Sequence, residues 1–156
     1  MKSKVYLETT IPSLLTAWPS RDVLIAGQQQ ATRDWWNERR KQYQLFISGL
    51  VLLEARRGDS QAAKARAEVL TDCAVLEFSK TAEGLAQKIL ATRLIPGKAA
   101  ADAAHIAIAA VHAMDFLLTW NCRHIANAAI VDDIRRVCSD EGFPAPVICT
   151  PHELMV

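Results

Sequence analysis

The sequence predicts an α/β domain built around a mostly parallel sheet of about five strands. Short apolar runs alternate with longer stretches of helical periodicity, and helical connections between successive strands favour parallel pairing. The chain has 156 residues, the size of one domain, and it contains no internal repeat, low-complexity tract or linker. We therefore expect a single domain over residues 1–156.

Each predicted strand is a short apolar run that is followed by a helical pattern. The predicted strands are, in order, KVYL, QLFIS, AVLEF, FLLTW and PVICT. The first predicted helix begins near Thr9 or Thr10. The other predicted helices cover Arg21 to Gln42, the segment LVLLEARR, Gln61 to Leu70, Thr81 to Arg93, Ala99 to Ala113, and the stretch from near Val131 to Asp140. Pro96 and Gly97 mark a turn between two helices.

Composition excludes several classes of protein. Apolar residues make up 51% of the chain, and 18 Lys and Arg nearly balance 17 Asp and Glu, which argues against disorder and against a strongly basic nucleic-acid binder. Any polyanionic partner must therefore be held by local patches of positive charge. The apolar stretches fall well short of the ~20 residues that a membrane helix needs, so we expect no membrane span.

The cysteines indicate the compartment. They are scattered, without a C-x-x-C pair or a zinc-ligand spacing, at Cys73, Cys122, Cys138 and Cys149. The first residues lack the pattern of a signal peptide. Reduced thiols in a cytoplasmic protein are the expected state.

Four polar residues are expected at one edge of the sheet. In open parallel sheets, ligands bind beyond the carboxyl ends of the strands. Glu8 ends the first strand, Asn121 follows the fourth, and Asp102 begins the helix that leads back into the fourth strand. Glu54 lies in the second turn of the helix after QLFIS. Three carboxylates and an amide from four parts of the chain are therefore candidates for one site.

Each of these residues also has an ordinary structural explanation. Glu8 and Asp102 suit the positive end of a helix. Glu54 suits a solvated face, where it would pair with neighbours such as Arg57. Asn121 suits a turn after a strand. The functional interpretation depends on their joint placement.

Convergent carboxylates would require a cation, because burial and mutual repulsion both oppose their ionisation. Oxygen ligands without a His or Cys cluster suit Mg²⁺ or Mn²⁺ better than zinc. These ions promote phosphoryl transfer by lowering the pKa of an attacking water and by stabilising charge on the phosphate. If the carboxylates converge, the pattern thus indicates metal-assisted phosphoryl transfer, with Glu8 placed to hold a metal.

Four segments resemble the PIN-domain family, in particular its VapC-type toxins. They are YLETTIPS, GLVLLEARRGD, AADAAHIAIAAVHAMDFLLTWNCRHIAN and VICTPHEL, and they cover nearly the whole chain. The resemblance implies a three-layer α/β/α ribonuclease that depends on Mg²⁺ or Mn²⁺. It also implies an RNA substrate, a homodimer and inhibition by a cognate antitoxin.

The resemblance carries over to this chain residue by residue. The family's acids fall on Glu8, Glu54 and Asp102, and the fourth catalytic position falls on Asn121. Two positions depart from the common pattern. Glu8 stands where Asp is usual, which moves its carboxylate outward by about an ångström. Asn121 keeps an oxygen but lacks a negative charge, which weakens a second metal site more than the first.

Neighbouring polar residues are candidates for substrate binding. Thr9 and Ser13 could orient water or phosphate beside Glu8, although an N-cap role for Thr9 or Thr10 is favoured. Arg56 and Lys98 are the basic residues near the acids that could meet phosphates. His124 follows Asn121 and could touch substrate.

Other residues are assigned to structure. His105 and His112 lie on an apolar helix and are expected to be packed histidines. One of Trp35 and Trp36 is expected in the core, since neighbours on a helix cannot face the same way.

The sequence leaves one alternative to a ribonuclease open and argues against another. A PIN-fold module that binds RNA or a protein with little catalysis is favoured by Glu8 and Asn121. A receiver-like or phosphatase domain is disfavoured, because no D-x-D-x-T follows the first strand.

Overall fold

The computed structural model describes residues 1–155 and contains one parallel sheet. Its strands are β1 (Lys4–Leu7), β2 (Gln44–Ser48), β3 (Ala74–Leu76), β4 (Phe116–Leu118) and β5 (Val147–Cys149). They are ordered β3-β2-β1-β4-β5, and every neighbouring pair is parallel. The predicted sheet of about five strands is therefore confirmed, with the first strand of the chain at its centre.

Seven α-helices connect the strands within the described residues. They are α1 (Thr10–Thr16), α2 (Val23–Glu38), α3 (Gly49–Ala55), α4 (Ser60–Val69), α5 (Lys80–Ala91), α6 (Ala100–Val111) and α7 (Val131–Asp140). Helix α1 contacts α2 and α4, whereas α5 contacts α6 and α7. These two groups cover the two faces of the sheet, which confirms the three-layer α/β/α architecture.

The predicted helix from Arg21 to Gln42 is shorter in the structure. Asp22 caps its start by accepting a hydrogen bond from the Ile25 amide, and the α-helix ends at Glu38. Residues Arg40–Gln42 form a separate 3₁₀ turn. The remaining predicted elements agree with the observed ones to within two residues at each end, which is the usual uncertainty of helix and strand boundaries.

The central position of β1 explains its burial. Val5, Tyr6 and Leu7 have no exposed surface, because β1 has a neighbouring strand on each side and helices on both faces. Trp35 is also fully buried, while Trp36 is only partly buried against the core, as expected for neighbours on a helix.

The lengths of the helices bear on membrane insertion. No helix within residues 1–155 combines the length and the apolar character that crossing a bilayer requires.

Candidate active site

The four predicted site residues lie on elements that meet at the carboxyl edge of the sheet. Glu8 directly follows β1, and its amide donates to the carbonyl of Leu118, the last residue of β4. Glu54 lies near the end of α3, which starts directly after β2. Asp102 is in the first turn of α6, and Asn121 is in the loop after β4.

Glu8 is buried, and its carboxylate is held by hydroxyl groups. One oxygen, Oε1, accepts hydrogen bonds from the Thr10 hydroxyl at 2.5 Å, the Thr10 amide at 3.1 Å and the Thr119 hydroxyl at 2.7 Å. Only 5% of the Glu8 surface is exposed. A buried carboxylate without a cationic neighbour needs such donors, since they replace the water that it loses.

Glu54 accepts two hydrogen bonds from distant elements. Its Oε1 lies 2.7 Å from the Thr9 hydroxyl and 2.6 Å from Nε2 of His105. Burial, the largest single effect, raises the pKa of Glu54, but His105, Thr9 and Arg57 together outweigh it and leave the pKa below its ordinary value. His105 acts through its hydrogen bond in either protonation state and through its charge only when protonated. Glu54 is therefore ionised at neutral pH.

Asp102 is bonded to the second histidine of the site. Its Oδ2 lies 3.0 Å from Nδ1 of His124. His124 in turn donates its backbone amide to Oδ1 of Asn121, as does Arg123. The Asn121 oxygen thus organises the turn after β4, the structural role that Asn commonly has, and both of its lone pairs are engaged.

These contacts join the predicted residues into a closed ring. Thr9 is adjacent to Glu8 in the chain and bonds Glu54, Glu54 bonds His105, and Asp102 lies one helical turn before His105. The ring is completed by the links from Asp102 to His124, His124 to Asn121, Asn121 to Thr119, and Thr119 to Glu8. The four candidates are therefore linked through one network of contacts at this edge of the sheet.

The carboxylates offer a partial set of ligands for a divalent cation. For Glu8, Glu54 and Asp102 alike, one carboxylate oxygen is held by protein donors, and the other accepts no hydrogen bond from residues 1–155. However, no group of three or more His, Cys, Asp or Glu side chains in this range is arranged to hold one ion. The expected three-carboxylate ligand cluster is not formed as such. One or two carboxylates with water is nonetheless the usual protein contribution to Mg²⁺ binding, so the residues fit this ion.

The predicted substrate-binding residues differ in their surroundings. Thr9 occupies the N-cap position of α1, as favoured, but its side chain makes no capping hydrogen bond. Its hydroxyl binds Glu54 instead, because the strand end brings it beside α3. Ser13 donates to the Thr9 carbonyl. Arg56 and Lys98 are exposed and free to meet a phosphate.

Three residues that hold the carboxylates were not among the site residues predicted from the sequence. Thr10 and Thr119 both donate to Glu8, and His105 donates to Glu54. His105 is fully buried, as expected of a packed histidine, yet it also binds a site residue. The sequence contained one signal for this role of His105. His105 follows Asp102 by three residues, and residues three apart on a helix share a face.

Comparison with known proteins shows the fold. No family model and no curated protein sequence matches the chain. Among solved structures, VapBC2 from Rickettsia felis, bound to a DNA fragment from its promoter, matches with a TM-score of 0.58 and 14% identity over 94% of this chain and 98% of that chain. VapC20 from Mycobacterium tuberculosis, a toxin that cleaves the Sarcin-Ricin loop, matches with a TM-score of 0.59 and 17% identity over 91% and 99%. The chain therefore has a PIN-domain fold of the VapC type.

Proposed function

We propose that this protein is a Mg²⁺- or Mn²⁺-dependent endoribonuclease that acts as the toxin of a toxin-antitoxin pair. The observation that carries the proposal is the ring at the carboxyl edge of the sheet, in which Glu8, Glu54 and Asp102 each keep one oxygen that accepts no hydrogen bond from residues 1–155. The VapC-type fold supports the same function, because VapC20 is a ribonucleic acid-cleaving toxin of this fold.

The reaction is hydrolysis of a phosphodiester bond. The oxygen of a water molecule bonds to phosphorus, the bond from phosphorus to the leaving ribose oxygen breaks, and that oxygen takes up a proton. A bound Mg²⁺ or Mn²⁺ would lower the pKa of the attacking water and would place a positive charge near the phosphate. No covalent intermediate with the protein is required.

The side chains of this protein prepare the site for that reaction. Glu54 and Asp102 would hold the ion through their free oxygens, while His105 and His124 fix the other oxygens. Glu8 would act as a further ligand or would orient a water molecule. Arg56 and Lys98 are exposed and would attract the RNA backbone. Asn121 would shape the loop that closes the site.

The partners follow from the same proposal. An antitoxin would cover the protein when it is inactive, and two copies would form a homodimer. Large apolar side chains that a partner could cover are exposed at the α1–α2 connection, with Trp18 at 91%, Val23 at 85% and Leu24 at 78% of their full exposure. Their number in one short segment is typical of a surface that binds protein.

The deciding experiment is cleavage of a mixed RNA pool by the purified protein with Mg²⁺, Mn²⁺ or EDTA. Asp102→Asn should reduce metal-dependent cleavage by about 100-fold or more, because it removes a charged ligand. Asp140→Asn is the matched control, since Asp140 is exposed at the far end of α7 and should leave cleavage unchanged. Equal cleavage by all three proteins would indicate a contaminating nuclease and contradict the proposal.

A second candidate function is a PIN-fold module that binds RNA or a protein without efficient catalysis. Two observations favour it: no cluster of three potential metal ligands is formed within residues 1–155, and the Asn121 oxygen is already engaged by two amides. Calorimetry distinguishes the candidates. Millimolar Mn²⁺ should raise the melting temperature of the wild type but not of Glu54→Gln if the enzyme is correct, whereas the module predicts no effect on either.

A further inference from the structure

We propose that Tyr6 and His105 form a relay of hydrogen bonds that positions Glu54 for metal binding. This proposal rests on the proposed ribonuclease function. The relay is a row of hydrogen bonds from β1 and β2 through α6 to α3. Tyr6 Oη lies 2.8 Å from Ser48 Oγ and 2.7 Å from Nδ1 of His105, and Nε2 of His105 lies 2.6 Å from Glu54 Oε1.

The direction of the relay is set at its two ends. The Val51 amide, which can only donate, bonds Ser48 Oγ, and the ionised Glu54 carboxylate can only accept. A single order gives every hydroxyl between them an acceptor: Ser48 donates to Tyr6, Tyr6 donates to Nδ1, and Nε2 donates to Glu54. The structure therefore assigns to His105 the tautomer with its proton on Nε2.

Burial makes this order costly to disturb. Tyr6, Ser48 and His105 have no exposed surface, so water cannot replace a missing partner. Burial also raises the pKa of Tyr6, which keeps its hydroxyl protonated and available as a donor. Both imidazole nitrogens of His105 are thus hydrogen-bonded. Because the ring is fixed, the Glu54 carboxylate oxygen that bonds to it is fixed as well.

The consequence for the site is a fixed Glu54 side chain. Its Oε1 is held from two sides, by Thr9 after β1 and by His105 on α6, and this leaves Oε2 as the free oxygen. Partners that orient a metal-binding side chain in this way typically change metal affinity by about 10- to 100-fold when they are removed. Tyr6 and His105 are positioning residues, since they act through Glu54.

The first test is the tautomer of His105 in the metal-free protein. Long-range proton–nitrogen NMR at neutral to mildly alkaline pH should show a protonated Nε2 and an unprotonated Nδ1. Tyr6→Phe should keep the proton on Nε2, because Glu54 still accepts it, but should shift the Nδ1 resonance, because Nδ1 loses its hydrogen-bond donor. Tyr43→Phe is the matched control, because Tyr43 is the other tyrosine and lies outside the relay. A protonated Nδ1 in the wild type would overturn the proposal without any variant.

The second test is Mn²⁺ affinity measured by calorimetry. Tyr6→Phe should weaken binding by about 10-fold, and Tyr43→Phe should not change it. His105→Gln should keep more affinity than His105→Leu, since the Gln amide can still donate to Glu54. Unchanged affinity in Tyr6→Phe and His105→Leu would refute the relay. If the wild-type protein shows the expected tautomer but binds no Mn²⁺, the result would instead refute the proposed nuclease function and, with it, the role of the relay in positioning Glu54 for a metal.

Discussion

Replacing Thr119 by valine removes the hydroxyl that connects the end of β4 to Glu8. Thr119 is fully buried, and valine has nearly the same shape. The hydroxyl donates to Glu8 Oε1 at 2.7 Å and accepts the Asn121 amide at 2.9 Å. The substitution therefore deletes two hydrogen bonds with little change in packing.

The expected loss of stability follows from these two bonds. A hydrogen bond to a charged group contributes about 1.5–3 kcal/mol, and one between neutral groups contributes about 0.5–1.5 kcal/mol. Glu8 keeps its two donors from Thr10, which reduces the loss. We expect the free energy of unfolding to fall by about 2–4 kcal/mol.

Urea denaturation at neutral pH measures this change. The midpoint should fall while the slope stays constant, since the exposed surface area on unfolding is unchanged. Thr119→Ser should recover most of the stability because it restores the hydroxyl. Thr81→Val is the control, since Thr81 is exposed on α5. A loss below about 1 kcal/mol in Thr119→Val would show that these hydrogen bonds do not hold Glu8, and would refute the reasoning.

Two further predictions concern pH and backbone strain. The folded-state pKa of Glu54 lies below its ordinary value of 4.5, so its ionisation adds stability above that value and this contribution disappears as pH falls through the folded pKa. Glu54→Gln should therefore flatten the acid side of a plot of urea midpoint against pH, and parallel curves would contradict this. Ala113 has a φ of 54° where α6 ends, a position that favours glycine. Ala113→Gly should raise stability by about 0.5–1 kcal/mol in thermal melts, whereas Ala67→Gly, on an exposed helix interior, should lower it.

The architecture could be predicted because it depends on local patterns. Apolar runs of strand length and helical periodicity are both readable along the chain, and helical connections impose parallel pairing. The same logic placed Glu8 after β1 and Asp102 in the first turn of α6, as the structure shows. These positions follow from the order of elements, which the sequence contains.

The contacts of the site could not be predicted in the same way. Thr9 or Thr10 was expected to cap a helix, and Thr9 does occupy the N-cap position, but the two hydroxyls bind Glu54 and Glu8. His124 was expected to touch substrate and is bonded to Asp102. In each case the alternative partner lies on an element that is distant in the chain, and no local pattern identifies it.

The sequence by itself determined the fold class and the edge of the sheet to which the acids belong, since these depend on periodicity and on the order of elements. Only the tertiary structure decided which side chains hold each acid. His105 is 51 residues from Glu54, and Thr119 is 111 residues from Glu8. Those contacts arise because α6 packs on the sheet and β4 pairs with β1, and the physical reason is that a hydrogen bond of about 3 Å depends on how separate elements pack together.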